Sequence, residues 1–347
     1  MIKVGILGAK GYTAGELMRL LVNHPQATLA CLMARVDTPE PVENYFPQLR
    51  GVVTLPVEPM NLDALASRCD AVFLALPHTT AQEYAPGLIA KGVKILDLSA
   101  DFRFDSVVSY EETYKVKHLA PELNAQMPYA LPELFRSQIT SDLPGLAIPG
   151  CYTTTSILGL APLMTHGDVL DLDHIVINAL SGVTGAGRKP GEATHFPECN
   201  ESVTAYKVAS QRHRPEIEEK LSILAGRTVR LTFTPHLMPM NRGILATCSI
   251  PMKRPVTTAE AHGWYEAFYQ GEPFVRVLPE GLVPATSGVV YSNFCDLGVV
   301  ADNHSGMLLA FSATDNLTKG ASGQAIQAMN ALFGLDETLG LLPEKRS

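Results

Sequence analysis

The most informative run in the chain is Ile148-Pro149-Gly150-Cys151-Tyr152-Thr153-Thr154-Thr155. A strand-like stretch ends in Pro-Gly, and a helical pattern (Ile157, Leu158, Leu160) starts at once after the cysteine. That spacing sets Cys151 at a helix N-terminus, where free N–H groups and the helix dipole favour a thiolate over the ordinary thiol of pKa ~8.5. A thiolate so placed is a nucleophile suited to forming a covalent acyl intermediate. The other five cysteines lack this setting. Cys31, Cys69, Cys248 and Cys295 lie in or beside apolar runs and read as small buried hydrophobes, and Cys199 stands in a polar stretch.

A nucleophilic cysteine needs a proton partner, and three histidine regions compete for that place. His213 precedes a helix expected from Pro215, and Glu216 three residues later can orient its ring, the arrangement of a general acid/base. His236, between prolines, reads as a packed structural residue. His195 and Cys199 are four apart, but Pro197 breaks a shared helical face and no second pair completes a site, so no metal is expected.

Gly8-Ala9-Lys10-Gly11-Tyr12-Thr13-Ala14-Gly15 falls between a strand and a helix. A turn of this kind brings backbone N–H groups and a positive helix end up to a pyrophosphate, although its spacing is GxxGxxA and not GxGxxG. The second strand then ends Met33-Ala34-Arg35, with Asp37 two residues beyond. Arg35 where an acidic residue would hold the NAD ribose favours NADP(H). Asp97-Leu98-Ser99-Ala100-Asp101-Phe102-Arg103 closes another strand of the same sheet, where ligands of open α/β sheets collect. Arg103 there either clamps an anion or pairs with Asp101 or Asp105. Ser181-Gly182-Val183-Thr184-Gly185-Ala186-Gly187-Arg188 follows a strand and permits close backbone approach, useful to a nicotinamide or acyl group and equally typical of an ordinary loop.

The elements that must hold these groups follow from periodicity. Strands are expected at Ile2–Leu7, Ala27–Met33, Ala71–Leu76 and Val93–Leu98, with helices over Gly11–Asn23 and from a Thr79/Gln82 capping box to Ala90. Alternating strand and helix is the pattern of a parallel sheet with crossovers. Residues 101–145 weaken into aromatic and proline-rich loops or short helices. Beyond Cys151 the rhythm changes to strands at Ile175–Leu180, Thr228–Thr234 and Ile244–Ile250, helices at Pro215–Leu224 and Thr257–Tyr269 (Thr257 with Glu260 as capping box), and a final helix over Asn316–Phe333. Alternating strands of this kind make a half-covered antiparallel or mixed sheet. The expectation is therefore an α/β chain: a Rossmann-type parallel-sheet domain at 1–149, an α+β catalytic and oligomerisation domain with a mixed sheet at 150–315, and a segment at 316–347 whose helix returns to the first.

Composition narrows the class. Among 347 residues, Lys+Arg number 27 against Asp+Glu 35, for a net charge of -8, and no basic run offers a footprint for nucleic acid or an anionic membrane. Charged residues are only 18% against a usual ~25%, which suggests surface covered by another copy, a homodimer or homotetramer. No apolar stretch of ~18 residues or signal-type h-region occurs, so a cytoplasmic location is expected, in keeping with reduced thiols.

Taken in order, GAKGYTAGEL at 8–17, ALPHTTA at 75–81, LDLSADFR at 96–103, IPGCYTT at 148–154, SGVTGAGRK at 181–189, RHRPEI at 212–217, FTPHLMPMNRGI at 233–244 and DNLTKGASGQA at 315–325 resemble the N-acetyl-γ-glutamyl-phosphate reductase family over nearly the whole chain. These are NADPH enzymes of arginine biosynthesis, related in fold to aspartate-semialdehyde and glyceraldehyde-3-phosphate dehydrogenases. The resemblance makes Cys151 the acyl-forming nucleophile and His213, with Glu216, the acid/base. It puts Gly8, Lys10, Gly11, Tyr12, Thr13, Arg35, Pro77, Ser181, Gly182 and Asn316 at the cofactor, and Arg103, Ser181 and Arg212 at an acyl-phosphate substrate. Ile148, Thr153, Gln211 and Ala14 differ from the family's usual residues. The same groups would serve an aminoadipyl or N-succinyl-glutamyl phosphate, and a chain that kept only the dinucleotide half would be an NADP sensor.

Overall fold

The computed structural model describes residues 1–342, so the last five residues of the 316–347 segment lie outside the described residues. The chain divides into two units, one made of residues 1–150 and the segment from residue 321, the other of residues 151–320.

The first unit is built on strands β1 (Ile2–Leu7), β2 (Ala27–Ala34), β3 (Glu40–Pro41), β4 (Pro56–Pro59), β5 (Ala71–Leu74), β6 (Lys94–Asp97) and β7 (Gly145–Ala147). They form one sheet in the order β3-β4-β2-β1-β5-β6-β7, parallel throughout except at the edge pair β3/β4. Its centre reads as near-continuous apolar sequence because both faces are covered: all four residues of β5 and the last four of β1 are buried. Helices α1 (Tyr12–Leu21), α2 (Leu62–Arg68) and α3 (Ala81–Ile89) are the crossovers, and α4 (Val107–Tyr114), α5 (Pro121–Asn124) and α6 (Pro132–Phe135) occupy the stretch where the pattern weakened.

The start of α3 corrects the expected capping box. Thr79 has φ +72 and makes no cap; the Asp101 carboxylate instead accepts from the N–H groups of Thr79 (2.6 Å) and Gln82 (3.3 Å). A full negative charge at the helix start replaces a hydroxyl. Gln82 is thereby released to donate to the Thr79 carbonyl and Tyr110 and to accept from the Leu119 N–H.

The C-terminal helix Gly323–Leu332 completes this unit. Its residues from Gly323 to Asn330 are buried all round, polar ones included. Each amide nitrogen is matched: Gln324 donates to the Ala130 carbonyl (3.0 Å), Gln327 to Glu133 (2.9 Å), and Asn330 pairs with His24 (3.0 Å) while donating to the Leu339 carbonyl (3.0 Å); the buried Gln324 Oε1 has no partner. Without such partners each would cost the unit the full desolvation of an amide.

The second unit carries strands β8 (Ile175–Gly182), β9 (Thr204–Ala205), β10 (Leu231–Met238), β11 (Ile244–Pro251), β12 (Val275–Val277), β13 (Cys295–Asp302) and β14 (Met307–Thr314), in the order β12-β13-β14-β11-β8-β10-β9. β8/β10 and β12/β13 pair parallel and the remaining neighbours antiparallel, a mixed sheet. Helices α7 (Cys151–Leu160), α8 (Phe196–Cys199), α9 (His213–Ala225) and α10 (Thr258–Phe268) accompany it. β10 starts later and runs further than its alternation suggested, through Pro235 and His236. Proline is tolerated there because the neighbour on one side, β9, is only two residues long. Thr257 does cap α10, accepting from the Glu260 N–H at 3.0 Å, whereas the Glu260 carboxylate turns to Arg254. The last helical pattern opens as a π-turn over Thr318–Ser322 and becomes α-helical only at Gly323.

Candidate active site

In the first unit, the turn after β1 is shaped by Gly8. Its φ is +96, and a Cβ there would fall 2.3 Å from the Ala75 carbonyl oxygen, so only glycine fits this crossing of two strand ends. Gly8 and Ala9 donate to the Met33 carbonyl (2.8 and 3.0 Å), which ties the turn to the end of β2. Gly11 then sits at the N-cap of α1, where no side chain caps the helix and no acidic residue occupies the first turn. A glycine cradle opening on an uncapped helix N-terminus fits a dinucleotide pyrophosphate.

Tyr12 and Thr13 begin that helix, and Thr13 lends its carbonyl to Ser322 Oγ (2.9 Å). Lys10 donates to the Arg35 carbonyl (2.8 Å) and lies over the Tyr45 ring. Arg35 itself is exposed, one residue past β2. Pro77 lies beyond β5, in the loop leading to α3.

Arg103 is buried, not displayed. Its Nε donates to the Ile148 carbonyl (2.8 Å) and Nη2 to the Leu98 carbonyl (2.9 Å), so two donors of the fork hold backbone. Nearby Asp97 is fully buried and accepts from Ser99 N (2.9 Å) and Oγ (2.8 Å), while its own carbonyl takes the Ile148 N–H (2.8 Å). Burial, with the Asp101 carboxylate next in weight, pushes the Asp97 carboxyl up to about 7. The folded state thus holds a proton that the unfolded chain has lost above pH ~4. Its stability contribution is complete below that value and is lost as pH rises through about 7. In urea titrations at a series of pH values, Asp97→Asn should therefore fall less in stability than wild type between pH ~4 and ~7; parallel curves would refute the buried-proton assignment.

In the second unit, Cys151 is the first residue of α7 and the only residue of that helix not buried. Its carbonyl accepts from Thr155 Oγ1 at 2.9 Å. Gly320, in the π-turn, meets it from the other side: a Cβ on Gly320 would lie 2.8 Å from Cys151 Cβ. The turn before Gly320 is locked by the buried Asp315 carboxylate, which accepts from Arg242 Nε (2.8 Å) and from the N–H groups of Tyr291 (2.6 Å), Leu317 (2.8 Å) and Thr318 (3.0 Å). Gly320 N–H donates to the Asp315 carbonyl at 2.8 Å.

His213 is the first residue of α9, two positions earlier than the proline signal placed the helix, and Arg212 is the N-cap. The His213 ring lies 5.7 Å, centroid to centroid, from Tyr152, the neighbour of Cys151. Glu216, on the same helix, is fully buried. Ser181 and Gly182 end β8. A Cβ on Gly182 would lie 2.7 Å from the Asn241 carbonyl, and its N–H donates to the Gly243 carbonyl at 2.9 Å. Asn316 accepts from Gly243 N (2.7 Å) and donates to Thr184 Oγ1 (2.9 Å). This unit therefore gathers Cys151, Ser181, Gly182, His213, Arg212, Glu216 and Asn316. Gly8, Lys10, Gly11, Tyr12, Thr13, Arg35, Pro77 and Arg103 belong to the other.

Sequence reasoning passed over Tyr206, Arg242, Asp315 and Gly320. Gly320 and Asp315 lie inside the DNLTKGASGQA run; Tyr206 had no local signal. One of the cysteines also proved less inert than expected: Cys31 hydrogen-bonds Cys69 and accepts from Arg68 Nη2 (2.9 Å), and both interactions hold its thiol below the ordinary value, whereas the same bond and burial push the Cys69 thiol up. Among the described residues no cluster of His, Cys, Asp and Glu has a metal-holding arrangement.

Residues 3–142 match the model of the semialdehyde dehydrogenase NAD-binding domain, and residues 151–316 that of the semialdehyde dehydrogenase dimerisation domain. The fold is shared with aspartate semialdehyde dehydrogenase II of Vibrio cholerae (TM-score 0.72, 15% identity, 96% of this chain and 98% of that one). The enzyme from Candida albicans is similar (TM-score 0.70, 14% identity, 96% and 98%). The two domain matches, which between them cover most of the chain, define a protein of the semialdehyde dehydrogenase class. Sequence relatives sharpen this. N-acetyl-gamma-glutamyl-phosphate reductases of Moorella thermoacetica (48% identity, 98% of both chains), Symbiobacterium thermophilum (47%, 98% of this chain and 97% of that one) and Geobacter sulfurreducens (45%, 98% of both) align end to end. The chain belongs to the N-acetyl-gamma-glutamyl-phosphate reductase family.

Proposed function

We propose that the chain reduces N-acetyl-glutamyl 5-phosphate to N-acetyl-glutamate 5-semialdehyde with release of phosphate, a step of arginine biosynthesis. The observation that carries this reading is Cys151, partly open at the head of an otherwise buried helix. A thiolate stabilised there attacks the acyl carbonyl, phosphate departs, and the acyl group remains on sulfur as a thioester. His213 supplies and removes the proton as the thiohemiacetal collapses to aldehyde and frees Cys151. Gly182 and Asn316 are held by the 241–243 turn, Ser181 pairs with Ile244 in the sheet, and together they form a floor beside this chemistry. NADPH, when bound, supplies the hydride. Gly8, Gly11, Tyr12, Thr13 and Lys10 would receive its pyrophosphate end, and the exposed Arg35 supports the 2′-phosphorylated cofactor.

The partner we infer, beyond substrate, is a second copy of the chain. α7 packs against one face of β11 and β14. On the other face, three cross-strand rows run Leu180-Leu245-Ala313, Asn178-Thr247-Phe311 and Val176-Ser249-Leu309. Asn178 is exposed, and Val176, Leu180, Leu245, Thr247, Ser249, Leu309 and Phe311 are half-buried in the single chain. A broad face of aliphatic, aromatic and small polar side chains suits a homodimer or a homotetramer. No helix among the described residues is long and apolar enough to cross a membrane, and the cytoplasm is the compartment we assign.

The decisive assay is oxidation of NADPH or NADH by the chain with N-acetylglutamyl phosphate, aminoadipyl phosphate or N-succinyl-glutamyl phosphate. The first acyl phosphate with NADPH should give the highest kcat/KM. Preference for either analogue would overturn the substrate assignment, and binding of NADP without turnover of any of them would favour the sensor reading.

A further inference from the structure

Tyr206 donates a hydrogen bond to the phenol of Tyr152 at 3.0 Å. Tyr152 in turn touches nearly everything that matters in the thiol unit. It follows Cys151 in the chain, its hydroxyl reaches Ser181 and the His236 carbonyl, and its ring is wedged between His213 (5.7 Å) and Phe233 (5.3 Å). Ser181 Oγ passes a hydrogen bond on to the Gly182 carbonyl at 3.1 Å. The result is one connected chain of hydroxyls from the 204–211 segment to the floor beside Cys151, with the His213 ring leaning on its middle member.

The segment that delivers Tyr206 is costly to hold. Glu201, Lys207 and Ala209 all have positive φ (57, 45 and 56), a conformation that non-glycine residues rarely adopt. Such backbone persists where its surroundings fix it. Here the fixtures are Tyr206 itself, through its N–H to the Pro235 carbonyl (3.1 Å) and its hydroxyl to Tyr152, and the β9/β10 pairing just before it. Burial pushes the Tyr206 phenol up to about 12, with the Cys151 charge acting in the same direction, and burial raises Tyr152 as well. Both hydroxyls therefore keep their protons at neutral pH and remain donors within electrostatic reach of the thiolate.

We infer that Tyr206 is a positioning residue of the thiol site: through Tyr152 it fixes the His213 ring and the hydroxyl array around Cys151. The inference rests on the reading of Cys151 and His213 as nucleophile and acid/base, and it goes beyond it by making a loop with no motif part of the acid/base apparatus.

The test pairs an assay that needs no substrate with one that does. Alkylation of Cys151 by iodoacetamide is followed against pH for wild type, Tyr206→Phe, Tyr152→Phe and the double variant, alongside kcat and KM with NADPH and the acyl phosphate. Tyr206→Phe should move the pH midpoint of alkylation by about half a pH unit or more and lower kcat about tenfold, with KM for NADPH within about twofold of wild type. The double variant should be no worse than the more affected single one, since both cut one chain. An unmoved alkylation profile, strictly multiplying effects in the double variant, or a loss of activity that only follows a loss of thermal stability would overturn the proposal. Wild type that fails to turn over any acyl phosphate would refute the substrate reading, and the alkylation profiles would still decide for or against Tyr206.

Discussion

Cys151→Ser should reduce turnover by about four orders of magnitude or more while leaving the fold and NADPH affinity as they are. Serine keeps the volume and the helix-start position. Its hydroxyl, however, stays protonated where a thiol can ionise, and an oxygen ester accepts hydride less readily than a thioester. Within α7 no other residue replaces the sulfur, because Tyr152–Leu160 are all buried. The measurement is single-turnover reduction with a burst of phosphate release. In wild type, phosphate should appear with the thioester, ahead of aldehyde; in the variant the burst should vanish. Comparable rates in the two proteins would eliminate covalent catalysis at this residue.

Gly320→Ala is the second large effect, and it comes from a residue that carries no chemistry. The added methyl would lie 2.8 Å from Cys151 Cβ and 3.2 Å from its Cα, closer than real Cβ atoms pack. Relief on the Gly320 side is blocked, since Asp315 pins the turn through Arg242, Tyr291, Leu317 and Thr318. Cys151 must therefore shift. A displacement near 1 Å at a reacting atom costs about a hundredfold in rate, which is the expected fall in kcat. Gly263 supplies the contrast. It lies inside α10 with nothing within 4 Å of an added Cβ, so Gly263→Ala should stabilise the protein by roughly 0.5–1 kcal/mol and leave kcat unchanged. If Gly320→Ala retained full activity, the thiol would not be held against this turn as described.

The pattern of what sequence discloses follows from how far apart the cooperating residues lie. β1 and the opening of α7 at Cys151 are legible because each depends on local chemistry, apolar runs and a Pro-Gly break. The mixed sheet is legible from alternation at Ile244–Ile250. The Thr79 capping box failed because a rival anion, Asp101, arrives from 22 residues away, and local patterns do not record such visitors. Arg103 left an anion clamp and an ion pair with Asp101 or Asp105 open, and two donors of its buried guanidinium hold the carbonyls of Leu98 and Ile148. Spacing names a residue's charge, not which of its donors are already spent. Tyr206 was invisible for the same reason: its significance is a contact with a residue 54 positions earlier. The C-terminal helix hid its burial because Gln324, Gln327 and Asn330 look like a solvent face until their partners Ala130, Glu133 and His24 are known.

That helix has a consequence for how the protein comes into being. The unit that would hold the cofactor is written in two pieces, with the whole thiol unit spelled out between them. At roughly 5–20 residues per second, a ribosome spends on the order of 10–30 s on the intervening residues, during which the nascent first unit lacks the helix that packs against α1 and α6. Chaperone capture and proteolytic loss should concentrate in that interval, and a chain stopped at residue 320 carries the whole thiol unit while the cofactor unit is unfinished.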